Sequence, residues 1–223
     1  MITEKLKNNV LFVGVDGCGD YKTDSDNTGI RMKYLSQVRD VLKKNNLKAV
    51  ICSPLTEYGD IHQIPFFGLT VASGYNFNIF FLKDLYSYLK EYDFTHIIYF
   101  QWDGFPINFN KWDDSYLDYD FIGPSNGDIM NGGISVRSRK LLEDVSEWAT
   151  LTKLNEFYVK HGHMNEDMIF QSTGLDFNFP SSETCDKFAS DVLNDETFGM
   201  HLTDKNVDVI ANTLKRLANE IPN

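Results

Sequence analysis

Cysteine is scarce in this sequence. Cys18, Cys52 and Cys185 are spread over 223 residues, with no C-x-x-C pair among them. That spacing argues against a zinc site or a disulfide framework, and reduced thiols in a cytosolic protein are the plain reading. Positive charge is also short: 21 Lys and Arg stand against 32 Asp and Glu, a formal net charge of -11. Sequence-independent affinity for nucleic acid comes from clustered cations, so a long phosphate track is not expected. No apolar run approaches the roughly 20 residues that a membrane-spanning helix needs, and the N-terminal stretch lacks the apolar core of a signal peptide. The expected location is therefore cytoplasmic. Internal repeats, low-complexity segments and a linker that would split the chain are absent as well.

What is plentiful is aromatic and apolar. Hydrophobic residues make up 42% of the chain and aromatics 14%, with 17 Phe, 11 Tyr and 3 Trp. Such a chain folds around a substantial core. Its rings can fill that core or present a platform to a sugar or a base. The pattern alternates buried strands with amphipathic helices. Asn9–Val15 and Lys48–Cys52 read as strands, with a helix over Ile30–Asn45 between them whose Met32, Leu35, Val38 and Leu42 share one face. This order predicts parallel pairing with a right-handed crossover. A second helix over Asn76–Tyr92 carries Phe77, Phe81, Leu85 and Tyr88. Further on, Asp120–Gly123, the alternating segment around Ile134 and Val136, and Asp176–Phe179 read as strands. Ser138–Ala149 and Asn206–Ile221 read as helices. Asp16–Gly29, Tyr58–Gly74, Ser125–Asp128 and Leu151–Gly162 read as loops, turns or connections, and Ile107–Tyr119 as a loop with a short helix. Glycines after the first strand suggest a Rossmann turn, but G-x-G-x-x-G is not satisfied.

The chain is organised around Thr95–Gly104, T-H-I-I-Y-F-Q-W-D-G. A run of β-formers predicts a strand buried on both faces. It ends in Gln101, Trp102 and Asp103 at the edge where α/β proteins commonly place their sites. An acid there either caps the next turn or meets a cation. Three more clusters lie near element ends: Asn131–Arg139, Glu166-Asp167 and His201. Each also has a purely structural reading. Asn131-Gly132-Gly133 makes a tight turn. Arg137 and Arg139 are expected to face different ways, so that at most one meets a given pocket. Asn165 is placed to cap a helix opening at Glu166, where acids suit the helix dipole. His201 reads equally as an ordinary, partly buried histidine.

The succession Q-W-D-G-F-P-I-N, W-D-D-S-Y-L-D-Y-D-F-I-G, N-G-G-I-S-V-R-S-R, E-D and F-G-M-H resembles the glycosyltransferase-like family DUF5672, itself similar to GT-A nucleotide-sugar transferases. The resemblance runs from about Tyr75 to His201. It implies a single α/β domain of GT-A type over residues 1–223, with a mostly parallel central sheet flanked by helices. Residues 1–104 would form the nucleotide-sugar-binding half and 105–223 the acceptor side. The implied activity is transfer of a sugar from a nucleotide-sugar donor to a hydroxyl of a glycan or other acceptor. By that resemblance Asp103 and His201 would hold Mn²⁺ or Mg²⁺, although Gln101 replaces the first acid of the usual Asp-x-Asp. Gln101, Trp102, Asp103, Asn131, Gly132, Gly133 and Arg137 would meet the donor. Asp167 would be the catalytic base, with Glu166 as a sugar-hydroxyl partner or the alternative base. Two other functions fit the same sequence. One is a viral-type transferase acting on a hydroxymethylated DNA base, which the net charge disfavours. The other is a non-catalytic sugar- or nucleotide-binding module.

Overall fold

The centre of the protein is a strand with no polar face. In a computed structural model, which describes residues 2–15, 25–53, 59–62, 77–127, 129–162, 165–202 and 206–220, all six residues of β1 (Val10–Val15) are buried. A short helix, α1 (Glu4–Asn9), leads into it. Thr3 caps that helix through Oγ1, which accepts from the Leu6 amide at 3.1 Å. Helix α2 (Ser25–Lys44) then crosses to β2 (Lys48–Ser53). Its Met32, Leu35, Val38 and Leu42 are fully buried, one stripe facing the sheet. Strand β2 lies parallel to β1, and a two-residue strand, β3 (Ile61–His62), lies parallel to β2.

Helix α3, described over residues 77–89, passes through a π-helical turn at Phe80–Asp84 and continues as α-helix over Leu85–Leu89. It leads to β4 (His96–Phe100), parallel to β1 on the side away from β2. Gly14 of β1 makes room for this strand's end. A Cβ there would stand 2.7 Å from the ring of Phe100.

Beyond β4 the chain reverses. Strand β5 (Gly104–Pro106), two 3₁₀ turns (Phe109–Lys111 and Asp114–Asp118), β6 (Phe121–Ile122) and the hairpin β7 (Ser125–Asn126)–β8 (Ile129–Met130) lead to β9 (Ile134–Ser138). Strand β9 is antiparallel to both β4 and β6, so the main sheet runs β3-β2-β1-β4-β9-β6. Three of its five pairings are parallel, and helices flank it. The mostly parallel α/β sheet expected from the sequence is present.

Helices α4 (Arg139–Trp148), α5 (Leu151–His161), α6 (Glu166–Ser172) and α7 (Ser182–Phe188) follow. Then β10 (Ala189–Ser190) and β11 (Gly199–His201) form a small sheet with β5, in the order β10-β11-β5. Phe198, just before β11, holds it in place. Its ring lies 5.6 Å from Phe109, 5.0 Å from Trp112 and 5.7 Å from Phe188. Helix α8 (Val207–Glu220) ends the described chain and buries Ile210, Leu214 and Leu217.

Several local expectations need correction. Residues 25–29 belong to α2 rather than to a loop, and residues 16–24 of the expected Asp16–Gly29 loop lie outside the described residues. Of Tyr58–Gly74, only 59–62 are described, and they contribute β3. The Ser125–Asp128 turn is part of the β7–β8 hairpin, with Gly127 at φ +66°. Leu151–Gly162 is a helix, α5, with Thr150 as N-cap and Gly162 at φ +75° closing its C-terminus. Asp176–Phe179 is extended but joins no ladder.

Candidate active site

The end of β4 is fixed by a tight reversal. The amide of Gln101 donates to the carbonyl of Gly104 at 2.7 Å, and the amide of Gly104 donates back to Gln101 at 3.3 Å. Inside this turn the three sequence-predicted residues part ways. The Gln101 amide donates to the Tyr99 hydroxyl at 2.7 Å. The Trp102 ring carries the Arg31 guanidinium 5.3 Å from its centroid. Asp103 is only 1% exposed. Strand β11 runs beside this turn, with His201 in register with Gly104 and the Leu202 amide donating to the Asp103 carbonyl at 2.8 Å. Asp103, in the turn just before β5, thus lies beside the end of β11 that carries His201.

The imidazole of His201 is seated on glycine. A Cβ on Gly104 would stand 2.8 Å from its Cδ2, and a Cβ on Gly133 would overlap the ring outright. Behind the ring, Nδ1 faces Asp191 Oδ1 at 3.6 Å, and both atoms are buried without a hydrogen bond among the described residues. A slight approach would satisfy both, fixing the proton on Nδ1 and leaving Nε2 as the lone-pair nitrogen.

The turn that seats His201 also holds α6. Phe100 pairs with Ile134, so Asn131-Gly132-Gly133 lies at the same sheet edge as Gln101–Asp103. Asn131 Oδ1 accepts from the Gly133 amide at 2.8 Å. The Gly132 amide donates to Asp167 Oδ2 at 3.1 Å, while Asp167 Oδ1 accepts from Met168 N at 2.8 Å. A Cβ on Gly132 would stand 2.6 Å from Glu166 Oε1. Each glycine is therefore required by a side chain pressed against it: Glu166 on the first, His201 on the second.

Arg137 lies beneath this turn with no exposed surface. Its Nη2 donates to Glu166 Oε1 at 3.1 Å and to the Gly132 carbonyl at 3.3 Å, and its Nε donates to Ser135 Oγ at 2.9 Å. Four rings surround the guanidinium: Tyr99 at 4.6 Å, Phe81 and Phe170 at 4.9 Å, and Phe121 at 5.7 Å. Burial pushes the Glu166 carboxyl up from the ordinary range, opposed by the Arg137 charge and helped by Asp167. Arg139 faces the other way, donating to the Tyr92 and Lys90 carbonyls.

The fold brings the expected residues near the carboxyl edge of β4, with Arg137 fully buried rather than open to a donor as expected. They are not equivalent, however. Glu166 is buried and tied to Arg137, whereas Asp167 is half-buried and has carboxylate lone pairs to spare. Asn165 makes no side-chain cap; Asn78 Oδ1 accepts from the Glu166 amide at 2.9 Å instead. Asn78, Ser135, Gln171 and Asp191 were not singled out from sequence. Each is an isolated polar residue whose partner is remote in the chain or set by the fold, and no local motif marks it. The described residues hold no group of three or more His, Cys, Asp or Glu able to bind a metal. Asp103 and His201 would supply one oxygen and one nitrogen, leaving the other positions of a divalent ion to diphosphate oxygens and water. That donor set suits Mg²⁺ or Mn²⁺.

A family model described as "Protein of unknown function (DUF5672)" matches residues 63–205, well over half of the chain and every candidate residue above. The chain belongs to this family. The DUF5672 match contains the whole Tyr75–His201 stretch on which the resemblance was read. No curated protein matches the DUF5672 chain. Its fold is similar, at TM-score 0.45, to a structure titled "Crystal structure of a glycosyltransferase involved in the glycosylation of the major capsid of PBCV-1". The match spans 93% of this chain and 99% of that one at 7% identity. Among the described residues, no helix is long and apolar enough to cross a membrane.

Proposed function

We propose that this protein is a GT-A-type glycosyltransferase that moves a sugar from a nucleotide-sugar donor to an acceptor hydroxyl. One observation carries the reading: adjacent residues of a single turn support both halves of the chemistry. Gly133 seats His201 beside the Asp103 strand end, and the Gly132 amide holds Asp167. Leaving-group stabilisation and proton removal must act on opposite sides of one sugar, and a shared turn fixes their separation.

Asp167 is the base. The acceptor oxygen attacks the anomeric carbon as its proton passes to the Asp167 carboxylate, and the bond from that carbon to the donor diphosphate breaks. Two backbone N–H groups aim the carboxylate and leave it lone pairs for the proton. Glu166, bonded to Arg137, keeps the turn and the helix start in place. Asp103 and His201 are the residues that would hold the divalent ion, which when bound neutralises charge on the departing diphosphate. The sheet half up to residue 104 receives the nucleotide, and the half from 105 receives the acceptor.

The test is a nucleotide-sugar panel assayed for donor hydrolysis with Mn²⁺ present, since transferases commonly leak donor to water. Asp167→Asn keeps the shape and cannot take a proton, so turnover should fall by about 10²–10⁴-fold with little change in donor affinity. Glu166→Gln should lower the melting temperature more than the turnover. Normal turnover in Asp167→Asn would remove the base assignment. No hydrolysis of any donor, with nucleotide still bound, would point to a binding module instead.

A further inference from the structure

A cavity lies beside α6, the helix that carries the candidate base. It lies between the β7–β8 hairpin, α6, α7 and the extended segment before α7, and measures about 360 Å³. That is within the roughly 300–1,000 Å³ of small-molecule sites. Its wall includes Ser125 and Met130 from the hairpin, Gln171 from α6, Phe179 and Pro180 from the extended segment, and Ser182 from α7.

Two links join this wall to Asp167. On the helix, Gln171 stands just over one turn after Asp167, roughly 6 Å along the axis, and its Nε2 donates to the Asp167 carbonyl at 2.8 Å. On the hairpin side, Met130 is two residues before Gly132, whose amide holds the Asp167 carboxylate. The same Gln171 amide locks onto Met130, accepting from its N–H at 3.0 Å and donating to its carbonyl at 3.1 Å. The cavity and the carboxylate therefore share one rigid frame.

The chemistry of the wall selects its occupant. None of its residues among the described ones is charged. The Cys185 thiol in it stays protonated, because burial pushes it up to about 11. The described wall offers no cation to a phosphate backbone, which is held through cations. It offers the Ser125 and Ser182 hydroxyls beside a half-exposed Phe179–Pro180 surface, the Gln171 N–H groups being already committed to Met130 and Asp167. That combination suits a ligand with neutral hydroxyls around an apolar ring face. We infer that this cavity is the acceptor subsite and that it takes an uncharged sugar unit, whose hydroxyl is thereby presented to Asp167.

This inference rests on the transferase reading, so binding and chemistry are measured separately. Binding of a panel of p-nitrophenyl glycosides is followed by ligand-observed NMR, with and without UDP and Mn²⁺. The wild type is compared with Ser182→Trp, which fills the cavity from an exposed helix start, and with Phe179→Ala, which removes the ring. Melting temperatures identify any variant that does not fold, and donor hydrolysis is run on all three proteins. The expected result is binding by the wild type, weakened about tenfold or more in both variants, with hydrolysis unchanged. No glycoside binding by the wild type, or binding that both folded variants retain, would overturn the subsite. So would displacement of the glycosides by 5-hydroxymethyl-2′-deoxycytidine with the same sensitivity to Ser182→Trp, since that would put a base in the cavity. Failure of hydrolysis alongside intact, variant-sensitive glycoside binding would sink the transferase reading and leave the sugar site standing.

Discussion

Arg137 is fully buried, and its charge is answered by one carboxylate and four aromatic faces. Removing one member of a buried pair leaves the other uncompensated. Arg137→Met should therefore cost about 3–5 kcal/mol in chemical denaturation. The double variant Arg137→Met with Glu166→Gln should recover a large part of that loss, because a neutral pair carries no orphaned charge. Equal stability of the single and double variants would mean that the guanidinium acts through its rings alone. Arg137 and Arg139 diverge because β9 ends at Ser138 and Arg139 opens α4; which of them turns inward was not readable in the sequence. That choice depends on Glu166, 29 positions away, and on rings contributed by four separate elements.

At the scale of elements, legibility followed the strength of the periodic signal. Helix α2 was readable because all four residues of its stripe are buried. Helix α5 was not. Leu154 and Phe157 face the core, but Leu151 and Val159 are 62% and 75% exposed, so its apolar residues do not define one face. At 176–179 the alternation of Phe177 and Phe179 is real, yet an extended segment without a ladder is not a strand. Its backbone is held by Asp120 instead, whose Oδ2 accepts from Asn178 N at 2.8 Å. The start of α6 shows the same limit, since its cap comes from Asn78, 88 positions away. Asn78→Ala leaves a buried N–H without an acceptor and should cost about 1–3 kcal/mol, read as a shift of the denaturation midpoint. Asn165→Ala, at a position that makes no cap bond, should change it far less. A further element-scale lock is Asp60, which accepts from Ile51 N at 2.9 Å and pairs with Lys43 and Arg39. Burial raises its pKa, but those partners together outweigh burial and hold the carboxyl below the ordinary range. A carboxylate depressed in the folded state contributes stability above its unfolded pKa and loses it as pH falls through the folded one. Asp60→Asn should therefore flatten the acid limb of a stability–pH curve below about pH 4. An unchanged limb would show that the lock carries no weight.

Across the whole molecule, charge separates the two acceptors that the sequence left open. The formal net charge is -11, and many of the cations are already committed. Arg137 is buried, Lys111 pairs with Glu196, Lys187 with Glu183, Lys140 with Asp144, and Arg216 with Asp195. Duplex affinity grows with the number of phosphates neutralised, and each neutralised phosphate steepens the salt dependence. A chain with more acids than bases, and with several of its bases already paired, has few charges to lend. The expected result in fluorescence anisotropy with labelled duplex at physiological salt is binding no tighter than about 10⁻⁴ M, the weak end of non-specific association. It should vanish on modest addition of salt. Sub-micromolar binding that survives added salt would require a cluster of free cations and would promote the DNA-base acceptor over the glycan. A flat response, with glycoside transfer intact, would assign the acidic surface the opposite role, that of keeping polyanions away from the proposed site.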